Sequence, residues 1–206
     1  VIAIVTLIRI FGGLQFLEWA AFDISLKLRP IEPADDRIIV GITEADIQQI
    51  GQYPISDQII ADLLNKLLPF QPRVIGLDIY RDLPTGQGRS ALIQAFQKNS
   101  NIITVERALP DRHGIIPPPL AAPEQVGFAD VVLDLDGRLR RSLLGSHTVH
   151  DDFRFSLTIQ LVQHYFAAQE IMLENGVRDP DAMRFGAVEL PPLTANAGGY
   201  IRIMQP

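Results

Sequence analysis

Cysteine is absent from this 206-residue chain. That removes disulfides, thiolate metal sites and cysteine nucleophiles together, while leaving the redox compartment open. Lysine is scarce: Lys27, Lys66 and Lys98 occur and none follows. The second half therefore offers no lysine to neutralise a transferring phosphoryl group. A basic stripe is missing too. The formal net charge is −6, and only Arg138, Arg140 and Arg141 cluster, which argues against a nucleic-acid surface. No Gly-x-Ser-x-Gly nucleophile elbow occurs. Gly86-Gln87-Gly88 lacks both the strand–turn–helix setting and the lysine of a phosphate loop. What is present is ordinary globular material. The chain is 47% hydrophobic and 20% charged, enough for a sizeable core and too apolar for a disordered chain. Its 15 glycines and 15 prolines exclude collagen-like and low-complexity architectures. The length suits one large domain or two small ones.

The amino-terminal segment is the most apolar. Val1–Ile8 is interrupted only by Thr6, Arg9 breaks the run, and Ile10–Leu17 resumes it around Gly12–Gly13. A membrane span needs about 20 mostly apolar residues. The visible run falls short of that unless a preceding segment extends it, and the start at Val1 reads as an excerpt of a longer chain. The alternative is a hydrophobic helix buried in a core. Leu7, Ile10, Leu14, Leu17, Ala21, Ile24 and Leu28 recur at alternating spacings of three and four, a heptad seam. Phe16, Trp19, Phe22 and Leu26 occupy other faces, so the helix needs cover on more than one side. Pro30 and Pro33 stop it, and Gly12–Gly13 is where it could break. The expectation is a long hydrophobic helix over residues 1–30, ending a membrane span, ahead of a domain over 31–206. Residues 201–206 end in mid-pattern, which suggests that this domain continues.

Strand and helix signals alternate along the remainder. Arg37–Thr43 is a β-branched run that reads as a buried strand. Glu44–Ile50 is a short helix closed by Gly51. Ser56 caps a helix with the stripe Ile59, Ile60, Leu63, Leu64, Leu67 and Leu68, ended by Pro69. Val74–Ile79 is a second strand, Arg89–Lys98 a helix and Ile102–Val105 a third strand. Such alternation predicts an α/β layered domain with a mainly parallel mixed sheet flanked by helices. Residues 116–123 read as a proline-rich loop. Val126–Val132 and Leu139–Leu144 read as a hairpin around Asp134–Gly137. Phe155–Ile171 is the longest amphipathic helix, and Met183–Leu190 and Tyr200–Met204 are weaker strands.

The carboxyl ends of parallel strands border the crevice where such sheets bind ligands. The candidate ligand-binding residues are therefore Thr43 and Glu44, Asp78 and Tyr80, and Glu106 and Arg107. Catalytic patterns are sparse. Asp134-Leu135-Asp136-Gly137 after an apolar run resembles the first motif of haloacid-dehalogenase-like phosphatases. There the first Asp, here Asp134, would be the nucleophile and the second, Asp136, a general acid/base beside magnesium. Arg138 stands where that motif usually has Thr, and Asp-x-Asp-Gly is also an ordinary turn. His147 and His150 with Asp151 and Asp152 could be drawn as a metal site, but no helix enforces a geometry there. No cofactor is implied.

Four pieces in order resemble the second type of CHASE domain, the cyclase/histidine-kinase-associated sensory extracellular domain. They are Leu14-Gln15-Phe16-Leu17-Glu18 through Ala21-Phe22-Asp23 and Leu28-Arg29-Pro30; Ile39-Val40-Gly41-Ile42 with Ile50-Gly51-Gln52-Tyr53-Pro54; Val74 to Tyr80; and Asp134 to Arg141 followed by Phe155-Ser156-Leu157. The likeness matches Asp78 at the second strand end, and Asp136, Gly137 and Arg140 or Arg141 in the turn. It departs at Thr43-Glu44, where the family often has Asp-Asp/Glu. It departs again at Tyr53-Pro54-Ile55-Ser56-Asp57, where the family has Trp-Pro-Trp-x-Arg. The resemblance implies a sensor of a bacterial transmembrane receptor, outside the cytoplasm at the inner membrane. It implies a membrane helix before the sensor, further ones after it, and a cyclase or kinase output module. The sensor itself would not be an enzyme. The natural partner is a second copy through the seam.

Overall fold

A computed structural model of the chain describes residues 2–30, 37–109, 121–140, 142–148, 152–190 and 203–204. It divides into two units, Val1–Thr43 and Glu44–Pro206.

In the first unit the expected single rod is two helices, α1 (Ile2–Ile10) and α2 (Gln15–Leu28). The break falls at the two glycines. Gly12 takes φ +74°, and the Gly13 amide donates to the Ile8 carbonyl at 2.9 Å. A Cβ on Gly13 would lie 2.7 Å from the Ile8 side chain, so the chain turns here because glycine permits both the angle and the approach. The seam is thus divided: Leu7 and Ile10 lie on α1, and Leu14, Leu17, Ala21, Ile24 and Leu28 on or at the start of α2. Arg29 is extended, as the residue before Pro30 must be. No helix among the described residues is long and apolar enough to cross a membrane. The strand expected at Arg37–Thr43 does not form. These residues have no regular structure, and Ile38 and Ile39 are 90% and 93% exposed. A β-branched run becomes a strand by packing against neighbours, and among the described residues this one pairs with no strand.

The second unit opens with α3 (Glu44–Ile50), closed by Gly51 at φ +71°. Helix α4 (Asp57–Leu67) is capped by Ser56, whose Oγ accepts from the Ile59 amide. Strands β1 (Ile75–Gly76), β2 (Ile102–Glu106) and β3 (Val126–Phe128) form a parallel sheet in that order, with α5 (Arg89–Lys98) between β1 and β2. The ladder runs one residue past β1, with Leu77 N–H on the Ile103 carbonyl, and then Asp78 leaves it. Every residue of β2 is buried. Because alternate strand residues point to opposite faces, both faces are covered. Ile60, Leu64, Leu92 and Phe96 of α4 and α5 pack with Leu77 and Ile102. Full burial of such side chains contributes about 1.5–3 kcal/mol each. Helix α6 (Leu157–Ala167) lies across all three strands. A Cβ on Gly127 of β3 would sit 2.6 Å from the backbone of Leu157, so this approach requires glycine.

The expected hairpin at 126–144 is only half realised. Its turn is tight: Gly137 N–H reaches the Asp134 carbonyl at 2.8 Å, and Asp134 N–H reaches the Arg138 carbonyl at 2.9 Å. The flanking strands do not pair with each other. β3 stays with β2, and β4 (Ser142–Leu143) pairs antiparallel with β10 (Ile203–Met204). A second hairpin, β5 (Gly145–His147) with β6 (Phe153–Phe155), escaped sequence reasoning. Strands β7 (Leu173–Asn175), β8 (Met183–Phe185) and β9 (Val188–Leu190) form an antiparallel sheet. The single strand expected over Met183–Leu190 folds back at Gly186, which takes φ +57°. Residues 116–120 and Tyr200, parts of an expected loop and strand, lie outside the described residues.

One buried ion network ties the start of α4 to the loop after β1. The Asp57 side chain is wholly buried, 3.7 Å from Arg81 Nε and 3.4 Å from an Arg89 terminal nitrogen. Its other contact is the Thr85 amide at 3.3 Å. Arg81, 3% exposed, donates to the Ile55 carbonyl. Burial lowers its pKa, and Asp57 opposes that.

Candidate functional site

The strand ends hold a second charged cluster. Glu106 closes β2 and is 8% exposed. Its Oε1 lies 3.7 Å from Arg154 Nε on β6, which is beyond hydrogen-bond reach. The next residue, Arg107, places its guanidinium carbon 5.4 Å from the centre of the Tyr80 ring, a cation–π distance. Arg107 Nε lies 4.0 Å from Oδ1 of Asp130, whose side chain is wholly buried. Asp130 follows β3, and its Oδ2 accepts from the Ala108 amide at 2.7 Å. That bond fixes the carboxylate across the gap between the ends of β2 and β3. Arg154 is placed by the strand it belongs to, since Ser156, two residues on, bridges to Phe128 of β3.

The electrostatics follow from burial. Loss of hydration pushes the Glu106 carboxyl above its ordinary pKa; Arg154 pulls it down and Asp130 adds to the rise. Glu106 Oε1, Asp130 Oδ1 and Arg154 Nε are buried with no hydrogen-bond partner. Buried polar atoms in that state are uncommon and costly. The cluster holds Glu106, Asp130, Arg107 and Arg154, with Asp152 4.0 Å from a terminal nitrogen of Arg154, and none of these ion pairs closes to hydrogen-bond distance.

Of the six candidate ligand residues, the structure brings three together: Tyr80, Glu106 and Arg107. Asp78 stands exposed just past β1. Thr43 ends the irregular run of the first unit and Glu44 opens α3, its carboxylate accepting from Gln48. That pair does not stand at a strand end, because the strand it was to close does not form. Asp130 and Arg154 were not among the candidates. Asp130 lies inside the apolar run 126–132, where it is the one charged residue. Arg154 sits in the alternation Phe153-Arg154-Phe155, a strand signal.

Asp134 and Asp136 are tied to one guanidinium. Arg140 reaches Asp134 at 2.8 Å and both oxygens of Asp136 at 2.9 and 2.6 Å. The Arg140 hydrogen bonds hold the Asp136 carboxyl below its ordinary pKa, which suits an ion-pair acceptor and not a general acid. With Gly137 at φ +77°, the segment is a braced turn. Among the described residues no group of three or more His, Asp or Glu could hold a metal. His147 is exposed against the Phe153 ring; His150 lies outside the described residues. On α2, Leu17, Ile24 and Leu28 are 62%, 58% and 79% exposed, and the helix buries none of its residues.

The fold is a parallel three-stranded α/β layer with buried charged groups at its strand ends. The sequence matches the CHASE2 domain over residues 1–204. The chain belongs to the CHASE2 domain family, extracellular sensory domains of signalling receptors. No curated protein and no solved structure matches it.

Proposed function

We propose that the chain is the extracytoplasmic sensor of a bacterial transmembrane receptor at the inner membrane. A stimulus is received at Tyr80, Glu106, Arg107, Asp130 and Arg154. It passes through α1 and α2 and the membrane segments to a cytoplasmic cyclase or kinase. The observation that carries this reading is the family match, which spans both the amino-terminal helices and the α/β unit. The mechanism is a population shift: a ligand acts only through its differential affinity for two arrangements of the receptor.

The exposed apolar residues Leu17, Ile24 and Leu28 of α2 support a homodimer through the part of the seam that runs from Leu14 through Leu17, Ala21 and Ile24 to Leu28. The test is the double substitution Leu17→Asp and Ile24→Asp. Sedimentation velocity on the chain and output of the full-length receptor should both show loss of the dimer and of stimulus-dependent signalling. A dimer and a response equal to wild type would refute the seam.

A further inference from the structure

We propose that Glu106 is a proton receptor: protonated, it lets the outer part of the β5–β6 hairpin pack on the strand ends, and ionised, it releases that part. The proposal rests on the sensory reading above and names the stimulus of that same site, the hydrogen-ion concentration outside the cytoplasm. The Glu106 side chain is 11% exposed, and its Oε1 is buried without a hydrogen-bond partner. Charged groups face it from the neighbouring elements. Arg154 Nε, on β6, stops at 3.7 Å, and a terminal nitrogen of Arg154 lies 4.0 Å from the exposed Asp152. Asp130, beyond β3, is wholly buried and held by the Ala108 amide. Arg107 lies 4.0 Å from Asp130 and over the Tyr80 ring, beyond β1. On α6, His164 and Tyr165 are engaged elsewhere, with the Glu124 carbonyl and with Arg73. Ionised, Glu106 is therefore a buried charge whose nearest cation does not reach hydrogen-bond distance. A proton requires no pocket. Arg154 is partly exposed, so a swing of its side chain admits water to the carboxyl.

The direction follows from linkage. Burial raises the proton affinity of Glu106, Arg154 lowers it in part and Asp130 adds to the rise. In an open arrangement water reaches the carboxyl and returns it to the ordinary carboxylate range. The packed arrangement thus binds the proton more tightly. Acid favours packing, and the advantage is lost as pH rises from the ordinary range through the raised value. The outer hairpin is the element able to respond. Phe155 packs beside Leu144 and Ile159, and Ser156 bridges to Phe128 of β3. Toward the tip, Phe153 and Asp152 are exposed, and surface segments of this kind open locally at low cost.

The test is hydrogen exchange read by mass spectrometry on the 206-residue chain between about pH 4 and about pH 8. Each rate is divided by the intrinsic rate at that pH. In peptides covering β5 and β6, exchange should rise with pH by up to about tenfold per unit and then level off. Peptides of α4 and α5 should stay flat. Glu106→Gln, neutral at every pH, should keep the hairpin protected throughout. Arg154→Gln removes the cation that favours ionisation and should move the rise to higher pH. Asp130→Asn should move it to lower pH. The exposed control Glu124→Gln should follow wild type. The proposal is overturned by flat exchange in wild type or by a pH dependence that survives Glu106→Gln. Exchange that slows as pH rises also overturns it, because Arg154 then closes on the ionised carboxylate. Should Glu106→Gln not fold, the opposite shifts of the other two variants decide, and their absence overturns it. The full-length receptor, read at the same pH values, separates this from failure of the sensory reading. Output that ignores pH yet is altered by Glu106→Gln discards the proton as stimulus. Output unaltered by either discards the site.

Discussion

Replacing Asp57 by Asn removes one negative charge from a place where two arginines depend on it. The side chain is wholly buried, Arg81 is 3% exposed and Arg89 17%. Asn keeps the shape, and its oxygen can still accept from the Thr85 amide, so the loss is electrostatic. Two guanidinium groups are left facing each other without compensation. Breaking a buried pair in this way costs about 3–5 kcal/mol, a large share of the roughly 5–15 kcal/mol that holds most domains folded. At about 2–4 °C per kcal/mol for a chain of this size, the melting temperature should fall by about 6–20 °C. Circular dichroism melts at low and high salt provide the assay. Because the pair is buried, the loss should change little with ionic strength. Adding Arg89→Gln should restore part of the stability by removing one orphaned charge. A fall of less than about 3 °C, or no recovery in the double variant, would refute the view that this network pins the start of α4.

Gly127→Ala should cost about 1–3 kcal/mol, because its Cβ meets the Leu157 backbone at 2.6 Å; denaturant midpoints will show it. Gly76→Ala, which meets only the flexible Leu161 side chain at 3.1 Å, should cost less. Gln125 donates from one amide nitrogen to the carbonyls of Phe96, Asn99 and Ile102 at 3.1, 2.9 and 3.0 Å. Gln125→Leu leaves the Phe96 and Asn99 carbonyls with the Asn99 and Ile102 amides but takes the side-chain donor from the Ile102 carbonyl, and should destabilise by about 1–3 kcal/mol in the same measurement. For Glu106 the folded pKa lies above the unfolded one, so the native state holds this proton more tightly. Its contribution to stability is full below the ordinary carboxylate range and is lost as pH rises through the raised value. Urea midpoints across that range should fall with pH more steeply in wild type than in Glu106→Gln; parallel curves would show that burial does not act on this carboxyl.

Helices α4, α5 and α6 were legible because their apolar stripes are local, as is the Ser56 cap of α4, which accepts the Ile59 amide; α6 starts only at Leu157, after a Ser156 cap that its periodicity did not mark. The parallel strands were legible as apolar runs, and so was the turn at Asp134–Gly137. Pairing partners were not. β4 finds β10, some 60 residues away, and no local pattern carries that information. The run Ile38–Ile42 shows the converse, a strand composition with no strand paired to it among the described residues. The site divides the same way. Glu106, Arg107 and Tyr80 follow from the rule of strand ends. Asp130 enters because the Ala108 amide reaches it from the end of a neighbouring strand, and Arg154 because β6 runs beside Phe128. Both depend on tertiary contacts. Gly12–Gly13 was readable as a weak point, and the positive φ at Gly12 made it a break.

The most direct test of the account is the output of the full-length receptor carrying Glu106→Gln or Asp130→Asn, read as cyclic nucleotide made or phosphate incorporated at matched expression. Signalling through this cluster predicts that both variants shift resting or stimulated output while Glu124→Gln leaves it unchanged. Output identical to wild type in both, with the protein folded, would contradict it.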